Sequence, residues 1–155
     1  MTLLLSFPPA LAVPSAATAS PTVQQQIAAQ LAAAPGGVRI NATEVAYDGG
    51  RFVVSFQPSV TAGLTADCPN GWFCFYDEIN YGYPRGRLSD CGFQDLGDWG
   101  WRNRVESTYY NLTTGSVAYL DRANPSVVLF AVGTGFRGLA KVAYPNIADY
   151  VMRTC

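Results

Sequence analysis

Cys68-Pro69-Asn70-Gly71-Trp72-Phe73-Cys74-Phe75-Tyr76 opens the part of the chain whose texture decides the fold. Pro, Asn and Gly punctuate its start, and aromatic and β-branched residues fill the run 72–77, so the stretch reads as a turn feeding a strand. The same texture returns at 85–89, 105–110, 117–121, 127–132 and 139–144, each run bounded by Gly, Asn, Asp or Pro. No long window carries a helical period. Regularly spaced short strands predict an all-β sandwich or barrel. Duplication is also visible: Phe75-Tyr76-Asp77, a loop and 85–90 are echoed by Ala118-Tyr119-Leu120-Asp121, a loop and 126–132. Each half closes on an Asn- and aromatic-rich segment, 103–111 and 146–152. Two four-stranded Greek keys sharing one core, over 68–155, are the expected arrangement.

Upstream the reading changes. Residues 1–19 carry an apolar run from Leu3 through Val13 and end in Ala17-Thr18-Ala19, the h-region and cleavage site of a secretory signal peptide, although no Lys or Arg precedes the run. Pro8, Pro9 and Pro14 make it too short and too broken to span a bilayer as a helix. Residues 20–67 read as an N-terminal extension. Ser20-Pro21-Thr22 starts a helix, Val23, Ile27 and Leu31 form one narrow apolar stripe, and Pro35-Gly36-Gly37 stops it. Such a helix serves as a lid or anchor; with no cation on its polar face it is no membrane binder. A hairpin follows, with 38–42 as one strand, Phe52, Val54 and Phe56 as the inward set of the return, and Asp48-Gly49-Gly50 as the turn. Residues 58–67 are a linker of small residues.

Composition narrows the function. In 155 residues there are 10 basic and 11 acidic side chains, a net charge of −1, and no histidine. The near-neutral charge argues against nucleic-acid binding by a general field. Without histidine there is no Ser-His-Asp or Cys-His catalytic arrangement and no His-ligated zinc. The four cysteines, Cys68, Cys74, Cys91 and Cys155, read as two disulfides in an exported chain, with three pairings open. If the short 68–74 loop closes on itself, Cys91 is left with Cys155.

The segment 68–76, followed by Asp77-Glu78-Ile79-Asn80-Tyr81-Gly82 and Arg87-Leu88-Ser89-Asp90-Cys91-Gly92, resembles the βγ-crystallin-type peptidase-inhibitor family of actinobacteria, whose founding member is a small secreted metalloproteinase inhibitor. Asp98-Trp99-Gly100-Trp101 and Asn103-Arg104 are similar to the segment that ends the first Greek key. The resemblance spans about 35–155, strong in the first half and weak after Gly115. It implies that Tyr76, Tyr81, Trp99 and Trp101 are core and corner residues. It also implies that Ser89 ties down the folded hairpin, and that a positive-φ glycine sits at the corner. The family places that glycine where this chain has Tyr83, so either Gly82 takes the strained conformation or the corner is reshaped.

Two chemistries follow from the resemblance. Many such domains bind calcium through (N/D)-(N/D)-x-x-(S/T)-S, and the corresponding stretch is Arg102-Asn103-Arg104-Val105-Glu106-Ser107. Asn103, Glu106 and Ser107 are the candidate calcium ligands, against the opposing charge of Arg102 and Arg104. No other cofactor is called for. The second chemistry is inhibition, which needs a rigid exposed loop that loses little entropy on binding. The 68–74 loop offers Trp72 and Phe73, the 122–126 loop Asn124, and the 133–137 loop Phe136 and Arg137. The founding inhibitor's reactive loop lies beside a disulfide in its second half. No cysteine lies between Cys91 and Cys155 here, so that loop has no counterpart.

The sequence therefore predicts a secreted monomer that inhibits an extracellular protease stoichiometrically, a metalloprotease as first guess. It would contact neither nucleic acid nor membrane. The alternative is an extracellular structural or toxin-like module of the same fold without protease contact. An enzyme is disfavoured: only Glu44, Glu78 and Glu106 are glutamates, and none sits in an acid–base motif.

Overall fold

The computed structural model describes residues 20–57 and 65–155; the proposed signal peptide 1–19 and most of the linker lie outside the described residues. In chain order the elements are α1 (Val23–Ala33), β1 (Val38–Arg39), β2 (Glu44–Tyr47), β3 (Phe52–Ser55), β4 (Trp72–Glu78), β5 (Gly82–Leu88), β6 (Gly92–Asp95), β7 (Ser107–Asn111), β8 (Ser116–Leu120), β9 (Val128–Gly133), β10 (Gly138–Leu139) and β11 (Tyr150–Thr154). Sheet A runs β1-β2-β3-β5-β4-β7-β10 and sheet B runs β6-β11-β8-β9. Every pairing is antiparallel. The all-β sandwich expected from the strand texture is therefore what the chain forms. Each half sends its third strand to the other sheet: β6 pairs with β11, and β10 pairs with β7.

Alternation along the strands builds the core between the sheets. Phe73 and Phe75 of β4, Val117 and Tyr119 of β8, Phe130 and Val132 of β9 and Val151 of β11 all point inward and are buried. Trp99 and Trp101 join them from the loop after β6, with Trp99 stacked on Phe52 at 4.6 Å and Trp101 edge-on to Phe75 at 5.1 Å. Space for this aromatic group comes from Gly86 on β5. A Cβ there would meet the Phe75 ring at 2.4 Å and Phe52 at 3.0 Å. Tyr76, on the opposite face of β4, belongs to a second cluster with Cys68 and Cys74, against which Trp72, Tyr81 and Tyr109 pack.

The N-terminal region is continuous with sheet A, but its hairpin differs from the expected one. Glu44–Tyr47, not 38–42, pairs with Phe52–Ser55 across the Asp48-Gly49-Gly50 turn. The turn joins Tyr47 directly to the returning strand, so β1 is displaced one place outward and Val38 and Ile40 are left exposed. Of the two candidate caps, Thr22 caps α1, exchanging hydrogen bonds with Gln25 in a capping box. The helix is anchored through Gln30, which is buried. Its amide donates to the Tyr47 hydroxyl at 3.1 Å and to the Trp99 carbonyl at 2.7 Å, and its oxygen accepts from Arg104 at 3.0 Å.

Other expectations are corrected. The 139–144 run yields only the strand Gly138–Leu139, because the Val142 amide leaves the ladder to donate to the Glu106 carbonyl. Residues 92–95 form a strand that the texture did not announce, and Val105 precedes β7 instead of starting it. At the first corner Gly82 is ordinary extended backbone, and the positive φ values fall on Asn80 (55°) and Tyr81 (62°). Ser107, not Ser89, ties the corner down. Its hydroxyl donates to the Glu78 carbonyl at 2.6 Å and accepts from the Tyr81 amide at 3.0 Å. Strand pairing sets Ser107 opposite Tyr76, beside the turn it must hold.

Three outcomes follow. Gly86→Ala is expected to cost about 1–3 kcal/mol by overpacking, read as a lower denaturant midpoint. Gln30→Leu leaves buried partners unpaired and should cost about 1–3 kcal/mol, measured the same way. Glu44 governs the acid limb. Burial raises its carboxyl, but hydrogen bonds from Ser55 and Asn41 and the charge of Arg87 outweigh that and hold it below the ordinary value of 4.5. A depressed folded pKa gives stability that is present above the unfolded value and is lost as pH falls through the folded one. Glu44→Gln should therefore flatten the loss of melting temperature below about pH 4.5.

Candidate functional site

Strand direction gathers one set of loops at one end of the sandwich. Trp72 at the start of β4 faces Asn111 at the end of β7; Ser116 at the start of β8 faces both Gly133 at the end of β9 and Thr154 at the end of β11. The loops at 68–71, 112–115 and 134–137 therefore share this end. Both disulfides stand there too, joining Cys68 to Cys74 and Cys91 to Cys155 with Cα separations of 5.7 and 5.8 Å. In the chain-entropy picture, the 64-residue separation of the second bridge stabilises by about 4 kcal/mol and the 6-residue separation of the first by about 2 kcal/mol.

Hydrogen bonds tie these loops to one another. The Gly71 amide donates to the Asn111 carbonyl at 2.8 Å, and the Asn111 side chain donates back to the Cys68 carbonyl at 2.8 Å. The Thr134 amide reaches the Gly115 carbonyl at 3.2 Å. Below them the buried Arg153 donates to the Tyr110 hydroxyl and to the Ser89 carbonyl, and Tyr110 in turn donates to the Thr114 carbonyl. Gly115, with a φ of 79°, allows the Thr154 backbone to pass where a Cβ would collide. The loops of this end are thus tied to one another by both disulfides and by these hydrogen bonds.

The 133–137 hairpin projects from it. Gly133 and Phe136 exchange amide-to-carbonyl bonds of 2.9 and 3.1 Å around Thr134-Gly135. Phe136 is 58% exposed beside that turn. Arg137, also exposed, turns back and donates to the Tyr110 carbonyl at 3.0 Å and the Leu112 carbonyl at 3.2 Å, so it braces the hairpin from beneath.

The remaining candidates fall elsewhere or into other roles. Phe73 is not a contact residue: it is 0% exposed and stacks on Tyr110 in the core, because the inward parity of β4 gives it no other direction. Trp72 is half-buried on the outer face of sheet A, with the Arg87 guanidinium 5.2 Å from its ring. Asn124 is exposed in the loop between β8 and β9, at the opposite end from Phe136. Of the candidate calcium ligands, Ser107 is buried and commits its hydroxyl to the corner; Glu106 accepts from the Asn146 side chain at 2.6 Å; Asn103 takes a positive φ of 58°. The neighbouring Arg104 pairs with Asp77 at 2.8 Å and lies over Trp101 at 4.3 Å. Among the described residues no group of three or more Asp, Glu, His or Cys side chains gathers as a metal site. Glu78 is held above the ordinary carboxylate range by burial and by the charges of Glu106 and Asp77.

Two features of the site escaped sequence reasoning. One is the brace formed by Arg137, and the other is the buried Arg153 beneath the loops; neither carries a local sequence signal.

A family model described as peptidase inhibitor family I36 matches residues 61–126. This bears out the resemblance read from 68–92: the segment matches a family described as peptidase inhibitors. The match takes in the first half and the start of the second, and stops short of the Phe136 hairpin. Neither the search of curated proteins nor that of solved structures returns a match. Among the described residues no helix is long and apolar enough to cross a membrane.

If the disulfides set the rigidity of this end, replacing Cys91 and Cys155 together by serine should lower stability by up to about 4 kcal/mol. Replacing Cys68 and Cys74 should cost no more than about half of that. Denaturant titration of both pairs of variants checks the order.

Proposed function

We propose that the protein is an extracellular peptidase inhibitor that acts by stoichiometric binding, with a metallopeptidase as the first target to test, and that the 133–137 hairpin enters the active-site cleft. The observation that carries this reading is a solvent-exposed Phe136 on a hairpin whose backbone is bonded to itself and whose base is braced by Arg137. A loop already held in one conformation gives up little freedom on binding. A large exposed aromatic beside its turn supplies the kind of anchor that dominates many tight interfaces. The two disulfides and the family match support an extracellular inhibitor, and the metallopeptidase target rests on the resemblance to the founding inhibitor.

Titration of the purified protein into thermolysin and subtilisin tests it. The expected result is a one-to-one end point with one of them, and a rise of about thirtyfold or more in Ki for Phe136→Ala with an unchanged melting temperature. Cleavage of the protein as an ordinary substrate by both enzymes would refute it.

A further inference from the structure

The outer faces of the two sheets are finished differently. On sheet A the outward Tyr76 is fully buried, capped by Tyr81 with ring centroids 5.5 Å apart and by the backbone of Asp67, whose carbonyl accepts from the Tyr76 hydroxyl. In the second half, the segment equivalent to Tyr76 and its corner is Leu120-Asp121-Arg122-Ala123-Asn124-Pro125, with Pro125 in the place of Tyr81. Leu120 is still buried, with Tyr150 paired beside it, but beyond it part of the outer face of sheet B stays exposed. Across it, strand register aligns Phe93, Met152, Ala118 and Ala131 in one uncharged row. Phe93 and Met152 are 55% and 47% exposed, and Val128 beyond them is 53% exposed. The bridge between Gly133 and Phe136 places Phe136 on this same face, at the end of the adjoining row.

We propose that this face is the second contact of the inhibitor, lying against the apolar rim of the target peptidase beside its active-site cleft. This rests on the reading that the Phe136 hairpin meets a peptidase. Area argues for it. A stable interface removes roughly 800 Å² from each partner, and one aromatic side chain supplies about 150–250 Å². A hairpin tip therefore needs a neighbouring surface. The row itself is apolar and uncharged and already largely exposed; the polar Ser116 and Thr154 lie between it and Phe136 and the Arg102–Asp95 pair stands at its margin beside Tyr150, so covering the row alone desolvates no ionised group. It is also continuous with Phe136 through the ladder, so both contacts are held at a fixed spacing.

The test uses the full protein and whichever of thermolysin or subtilisin it inhibits. Met152→Lys places a charge in the middle of the row, and Ala131→Arg does so from a neighbouring strand; both positions point outward, so the core is untouched. Each is expected to raise Ki by about tenfold or more, chiefly through faster dissociation, at a melting temperature close to that of the parent. If one variant fails to fold, the other gives the reading. Val38→Lys, on the far edge of sheet A, should leave Ki unchanged. Folded Met152→Lys and Ala131→Arg with the parental Ki would overturn this inference while the function proposed above stood. A parent protein that inhibits neither enzyme would remove both. Sedimentation velocity covers the other occupant: a parental dimer that Met152→Lys converts to monomer would assign the face to a second copy of the chain and overturn the proposal.

Discussion

One hydrogen atom in place of a side chain governs the interior. Gly86 lies in the middle of sheet A, between Val54 and Phe75, and the Phe75 ring occupies the space that its Cβ would need. With Phe75 lowered into that space, Phe52 stacks on it, Trp101 meets it edge-on and Trp99 stacks on Phe52, and the interior of a close-packed protein has little slack to absorb the alternative. The exchange of third strands extends the dependence to the whole sandwich. Because β6 belongs to sheet B and β10 to sheet A, neither half can complete a sheet without the other. Phe75 of the first half and Tyr119 of the second meet edge to face across that shared core.

The covalent crosslinks are distributed unevenly over this frame. Both crosslinks, the Arg153 network and the Arg137 brace converge on one end. The other end carries the exposed loop after β8, where an Asx turn at Asp121 and a bond from the Arg122 amide to Asp149 are the side-chain ties. A protein that binds by shape and performs no chemistry has most to gain from stiffness where its partner lands. Asn124, one of the loop candidates read from the sequence, lies at the other end.

Much of this was legible from residue order. The strand texture after Cys68 marked the sandwich, and the short 68–74 spacing suggested the bridge that left Cys91 for Cys155. The motif 68–92 suggested the inhibitor family. The failures share a cause. The pairing of Glu44–Tyr47 with β3, the service of Ser107 in place of Ser89, and the burial of Phe73 all depend on which strand lies beside which. A single sequence gives the alternation of a strand, but not its neighbours or which face turns inward. Phe136 could be listed as one aromatic among several; its exposure, the backbone bonds beneath it and its alignment with Met152 and Phe93 arise only once β8, β9 and β11 are laid in register.

The bridge between Cys91 and Cys155 closes 91–155 into a covalent ring that includes the Phe136 hairpin. A single hydrolytic event anywhere within that ring opens a loop but liberates no fragment. Strands β8, β9 and β11 remain laddered on either side of the break. A cut after Phe136 would therefore leave both new termini on one covalent body, each still carried by a strand of the sandwich.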